Sequence, residues 1–337
     1  MKTMQSVFCV DAHTTGTPIR VVTGGIPPLK GKTVNEKMLY MEKHYDWLRA
    51  AITCPPRAPE SLVCGVLVPP TKEEADYGLF YMDKKGYQPM CGAGTLSVAK
   101  VLVETGLVPC KEPETKIVLE TPSGIVTAYA AIANGEATRM SLENAPAFLY
   151  QKDVKLDVEG IGSLVADIGF GGNFFAIVNV AQLPVPLDPA HRSYFSDYMR
   201  KIVKATNQQI KVCHPANPDL NYLNQVLFYR DTPDENGGYT CQCVFGEAQL
   251  DISPCGTGTC TRLAQQYSRG KIGLHEEFIQ NSIWGSSFYA TALAETEVGG
   301  IKAIIPKVSC TDVHITGFNR LIIECDDAHR CGNQFSD

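Results

Sequence analysis

The feature that most constrains this chain is a short pattern that occurs twice, Cys91-Gly92-Ala93-Gly94-Thr95 and Cys255-Gly256-Thr257-Gly258-Thr259. Around the second copy, Pro254 fixes its own φ and biases Ser253 towards extended backbone. Leu263, Ala264 and Tyr267 then carry a helical period to a stop at Gly270. The first copy follows Gln88-Pro89-Met90 and enters an apolar helix that ends near Gly106. Both cysteines are therefore expected at helix N-termini. Unpaired N–H groups and the macrodipole at such a terminus favour a thiolate and, beside it, an anionic ligand. Two thiols placed this way suit chemistry at one carbon from opposite faces, one removing a proton as the other donates one.

The repetition extends beyond the two cysteines. The strand–Gly turn–strand of Val10 to Val22 recurs at Ala166 to Val178, and the Ser123-Gly124 turn recurs at Trp284-Gly285. Gly16 and Gly172, Cys91 and Cys255, and Gly124 and Gly285 lie 156, 164 and 161 residues apart. Similar offsets in the same order point to an internal duplication. The expected fold is α+β, with two pseudo-symmetric halves, each a curved, mostly antiparallel sheet around a central helix, and a ligand cleft between them. Residues 1–150 would form the half carrying Cys91 and residues 151–317 the half carrying Cys255, with the tail 318–337 packing back on the first. Helices are expected at Thr33 to Thr53, where Met38, Met41, Tyr45, Leu48 and Ile52 share a face, and at Ser193 to Ala205. A β-meander is expected over Lys116 to Glu143.

Composition narrows the class of function. A net charge of −6 without a basic tract disfavours nucleic acid and anionic membranes as partners. No apolar run reaches the length of a membrane span and Met1 to Gln5 lack a signal-peptide core, so the expected location is cytoplasmic. Thirteen cysteines would suggest disulfides only in a secreted chain. Cys9, Cys64, Cys241, Cys243 and Cys310 lie in strand-like apolar runs and read as small buried hydrophobes. Cys241-Gln242-Cys243 has the wrong spacing for a zinc knuckle and no second Cys/His pair nearby. His13 and His214 read as structural, and Gly169 to Gly172 is followed by a strand, which excludes a phosphate loop.

Met90-Cys91-Gly92 and Asp251-x-Ser253-Pro254-Cys255-Gly256-Thr257-Gly258-Thr259 resemble motifs of the proline racemase family. So do Asp11-x-His13-Thr14-x-Gly16, Phe170-Gly171-Gly172-x-Phe174-Phe175-Ala176 and Ile315-Thr316-Gly317-Phe318, and the resemblance spans about residues 6 to 325. The family comprises proline racemases, 4-hydroxyproline 2-epimerases and trans-3-hydroxyproline dehydratases, and its fold is similar to that of diaminopimelate epimerase. The resemblance implies no pyridoxal phosphate, no metal and no other cofactor. It implies that Cys91 and Cys255 are the acid/base thiols of a small-molecule amino- or imino-acid isomerase. The N–H groups of Gly92, Ala93, Gly256 and Thr257 would hold the substrate carboxylate, Asp251 the ring ammonium, and Phe245 would pack on the ring. A homodimer remains open.

The dehydratase branch has threonine at the second cysteine and part of the epimerase branch has serine at the first; both thiols here favour racemisation or epimerisation. Five positions depart from the family pattern: Ala93 replaces a His that joins the Asp on the amine, and Thr17, Pro59, Val63 and Ile252 also differ. These changes leave the thiols intact but unsettle the substrate. Two other readings stand beside the isomerase: a dehydratase or allylic isomerase on the same scaffold, and a family-derived imino-acid-binding protein without turnover.

Overall fold

The duplicated order of elements is present strand for strand in the structure, a computed structural model that describes residues 2–333 apart from 60, 219 and 247. The first half runs β1 (Thr3–Thr14), β2 (Thr17–Gly24), α1 (Val34–Thr53), β3 (Val63–Val68), β4 (Tyr77–Met82), β5 (Tyr87–Gln88), α2 (Gly92–Glu104), β6 (Glu114–Thr121), β7 (Gly124–Ala133) and β8 (Glu136–Glu143). The second begins with β9 (Phe148–Val158), β10 (Gly162–Phe170), β11 (Phe174–Asn179), α3 (Arg192–Gln209), β12 (Leu223–Pro233) and β13 (Tyr239–Phe245). It continues with β14 (Gln249–Leu250), α4 (Gly256–Ser268), β15 (Glu277–Ser282), β16 (Ser287–Val298) and β17 (Ile301–Cys310), before β18 (Val313–Glu324).

Strand pairing follows one scheme in both halves. A hairpin, β1–β2 or β10–β11, is joined in parallel to the next strand, β3 or β12. That strand pairs antiparallel with one edge of β4 or β13, whose other edge takes β6 or β15 in parallel at its start and a two-residue strand antiparallel at its end. A meander completes each set. Pairing within each set is therefore mostly antiparallel, with two parallel joins. Residues Met1–Leu142 and Cys310–Asp337 make one compact unit and Glu143–Ser309 the other. The chain returns to the first unit through β18, which pairs along the length of β1 from Thr3↔Glu324 to Thr14↔Val313. Residues 334–337 of the expected tail lie outside the described residues.

Local chemistry accounts for the helices. Thr33 caps α1, its hydroxyl accepting the Glu36 N–H, and Met38, Met41, Leu48 and Ile52 are buried as their spacing predicts. Tyr45, assigned to the same face, packs partly buried against the same core, and α1 kinks there, with φ −137°. The α3 helix runs four residues past the expected Ala205. Its polar last turn hides the period, but the Thr206 hydroxyl donates to the Ile202 carbonyl at 2.7 Å and Asn207 to the Leu223 carbonyl at 2.8 Å. The helix α2 packs on β1, β2, β3, β7 and β18, and α4 on β9, β10, β11 and β16, so each is the central helix of its unit. Among the described residues, no helix is long and apolar enough to cross a membrane.

Candidate active site

The two Cys-Gly turns have similar helix caps on different backbones. Cys91 is the N-cap of α2, and its sulfur accepts the Gly94 N–H at 3.4 Å. Cys255 is the N-cap of α4, and its sulfur accepts the Gly258 N–H at 3.3 Å. In each, the threonine four residues on donates both its N–H and its hydroxyl to the cysteine carbonyl at 2.8–2.9 Å. This satisfies the carbonyl locally and leaves the first helical N–H groups, those of Gly92 and Ala93 or of Gly256 and Thr257, without intrahelical acceptors. The glycine within each turn has a steric reason. A Cβ on Gly94 would sit 2.5 Å from the Tyr81 ring, and one on Gly258 3.2 Å from the Cys255 sulfur.

The backbones differ at the cysteine itself. Cys91 is extended, with φ −142°, whereas Cys255 has φ +66°, a left-handed conformation that costs a residue with a Cβ and is held only by its surroundings. Those surroundings are a set of hydrogen bonds along residues 251–255. The Asp251 N–H donates to the Cys243 carbonyl at 3.0 Å. The Asp251 carboxylate accepts the Ser253 N–H and hydroxyl at 2.9 and 2.8 Å, and the Ser253 hydroxyl in turn accepts the Cys255 N–H at 3.1 Å. Two buried glutamines close the set. Gln242 donates to the carbonyls of Cys243 and Asp251 at 2.7 and 2.8 Å, and Gln280 donates to that of Pro254 at 2.9 Å.

In each unit the hairpin turn packs against the first turn of the central helix. The Thr14 hydroxyl donates to the Ala93 carbonyl at 2.9 Å and shares a 2.7 Å hydrogen bond with Ser97. Gly171 lies so close to α4 that a Cβ there would be 2.5 Å from the Thr257 carbonyl. The Gly16 and Gly171-Gly172 motifs are thus supports for the helices that present the cysteines.

Burial separates the thiols. Cys91 is partly exposed and Cys255 is 7% exposed. Cys9, Cys64, Cys241, Cys243 and Cys310 are buried as read from the sequence. Desolvation pushes the thiols of Cys9 and Cys310 up to about 12, and those of Cys64, Cys241 and Cys243 well above the ordinary thiol range. Burial also pushes the Asp251 carboxyl up to about 6, against the opposing hydrogen bonds from Ser253 and Cys255. Phe245 ends β13, opposite Gln225 and Gln249, partly exposed beside the apolar group that includes Cys243 and Cys255. Cys255, Asp251, Gly256, Thr257 and Phe245 are thus gathered in one unit, and Cys91, Gly92 and Ala93 in the other. His13 accepts the Gly16 N–H, and His214 packs on Phe148 and Phe170.

Comparison with known proteins gives the arrangement its relatives. The family model for proline racemase matches residues 9–334. The chain belongs to the proline racemase family. Its curated relatives include proteins named as racemases and epimerases, which are isomerases. Proline racemase of Clostridioides difficile is 36% identical over 332 residues, covering 98% of this chain and 99% of the relative. The 4-hydroxyproline 2-epimerase of Streptosporangium roseum is 36% identical over 309 residues, 92% of each chain. A solved hydroxyproline epimerase from Agrobacterium vitis, with trans-4-hydroxy-L-proline bound, superposes with a TM-score of 0.85 at 27% identity, covering 98% of this chain and 95% of its own.

Sequence reasoning missed Gln242, Gln280 and the approach of Cys243 to Cys255. A signal for the first existed, since a glutamine between two cysteines in an apolar strand must find buried partners. Gln280 is separated from Pro254 by the whole of α4, and nothing local to it announces the contact.

Proposed function

We propose that this chain is a cofactor-independent racemase or epimerase of a proline-like imino acid, with Cys91 and Cys255 as the paired acid and base. The observation that carries the reading is the matched pair of sulfurs, each an N-cap accepting an amide N–H at 3.3–3.4 Å. Such a position stabilises a thiolate in the half-reaction where that cysteine is the base, and a thiol faces the same carbon in the other. The N–H groups of Gly92, Ala93, Gly256 and Thr257 take the substrate carboxylate and hold the negative charge that grows as the α-carbon loses its proton. Asp251 accepts the ring ammonium; its carboxyl titrates at about 6, so it is ionised at neutral pH. Phe245 covers an apolar edge of the ring. The family membership and the hydroxyproline-bound relative support an imino acid as the substrate class.

The test is exchange in D₂O. Incubation with L-proline, trans-4-hydroxy-L-proline and other amino acids, followed by mass and chiral analysis, should give α-deuteration with inversion for an imino acid. Loss of water or a shifted double bond would assign the scaffold to a lyase or allylic isomerase instead. Binding without α-deuteration would leave an imino-acid-binding protein.

A further inference from the structure

We propose that Cys243, Asp251 and Cys255 form an inhibitory binding site for a thiophilic divalent cation of the zinc and cadmium class. One sulfur from each cysteine and a carboxylate oxygen lie within 4.8 Å of one another. A tetrahedral zinc with bonds of about 2.3 Å to sulfur sets its sulfurs about 3.8 Å apart, so closing on the ion asks for a movement of about 1 Å or less. Two soft thiolates and one carboxylate are a donor set for such an ion, with the fourth position left to solvent.

The fold creates this set from residues whose spacing gives no hint of it. Cys243 is on β13; the short strand β14 folds back on β13 through Val244↔Leu250 and Phe245↔Gln249. That places Asp251 against Cys243, and the turn held by Ser253 and Gln280 returns Cys255 to the same spot. The pair Cys241-x-Cys243 lacks a second pair in sequence, yet in space Cys243 has two further donors.

Electrostatics favour a cation there. The Asp251 carboxylate accepts the Ser253 N–H and hydroxyl, neither of them cationic. In the proposed reaction the substrate ammonium supplies the missing positive charge, so a dication competes with it. As each sulfur–metal bond forms, the thiol gives its proton to solvent; no electrons are transferred. Inhibition rests on Cys255 being a reacting thiol, as proposed above. Binding does not, and is measured separately.

The experiment uses tag-free full chain, kept reduced with a phosphine, with C110S, C213S, C325S and C331S removing the four exposed cysteines. Cd²⁺ titration followed by thiolate-to-metal charge-transfer absorption should saturate at one ion per chain. The further substitution Cys243→Ala should weaken Cd²⁺ binding about tenfold or more while leaving α-proton exchange in place. Zn²⁺ should inhibit exchange competitively with substrate, less strongly in C243A. X-ray absorption of the Zn²⁺-loaded chain should find two sulfurs at about 2.3 Å, and this reads the site even if C243A does not fold. Unchanged Cd²⁺ affinity in C243A, or a zinc bound by a single sulfur, overturns the proposal. Two-sulfur binding without inhibition would keep the site and remove Cys255 from the reaction.

Discussion

Asp251→Asn should make the protein more stable at neutral pH and less active. Burial raises the Asp251 carboxyl from 3.8 to about 6. An acid raised in the folded state favours the fold where both states are protonated, below about pH 4, and that contribution is lost as pH rises through about 6. A rise of about two pH units, at about 1.4 kcal/mol each, means that ionised Asp251 costs the fold up to about 3 kcal/mol at pH 8. Asparagine carries no charge, and its side-chain oxygen still accepts the Ser253 N–H and hydroxyl that hold the turn. The gain should register as a melting temperature a few degrees higher at pH 8, in parallel scans at one rate, shrinking to near nothing at pH 4. Exchange activity should fall about 10- to 150-fold through loss of the charge-assisted contact to the ammonium. In the unmodified chain, KM should rise as pH drops through about 6. A variant no more stable than the parent at pH 8, or one whose gain is the same at both pH values, would refute the reasoning that the carboxylate is ionised at a cost to the fold.

Three further outcomes are expected. Ala93→His should raise turnover of free proline by about 10- to 150-fold, by restoring the second amine contact of the family pattern; efficient racemisation of proline by the unmodified chain would show that another residue supplies it. Brief iodoacetamide treatment of a chain lacking its exposed cysteines should label Cys91 or Cys255 before Cys9, Cys64 or Cys310, with imino-acid protection; mass mapping that finds the strand cysteines first contradicts the assignment. Gln280→Leu removes the donor to the Pro254 carbonyl and should cost about 1–3 kcal/mol, lowering kcat more than it raises KM and changing the alkylation rate of Cys255. Equal effects on Cys91 and Cys255 alkylation would mark it as a general folding defect instead.

The architecture was legible because its signals are local. Cys, Gly and Thr at fixed spacing set a cap and the opening turn of a helix, and apolar period two or period 3.6 sets the face each element buries. A second copy of that order at a near-constant offset then made the halves and their central helices readable. The polar end of α3 and the kink at Tyr45 escaped because hydrogen bonds and packing, not period, decide them.

What the sequence determined by itself, then, is two capped helices, each headed by a cysteine, in two repeated α+β halves. Tertiary structure alone decided the company each cysteine keeps. The left-handed backbone of Cys255 is stable only because Ser253, Gln242 and Gln280 satisfy the groups around it, and Gln280 arrives on a strand laid down after α4. The approach of Cys243 to Cys255, the raised carboxyl of Asp251 and the pairing of β18 with β1 likewise join residues that the chain order keeps apart. Desolvation and convergence depend on three-dimensional neighbours, and a linear pattern carries neither.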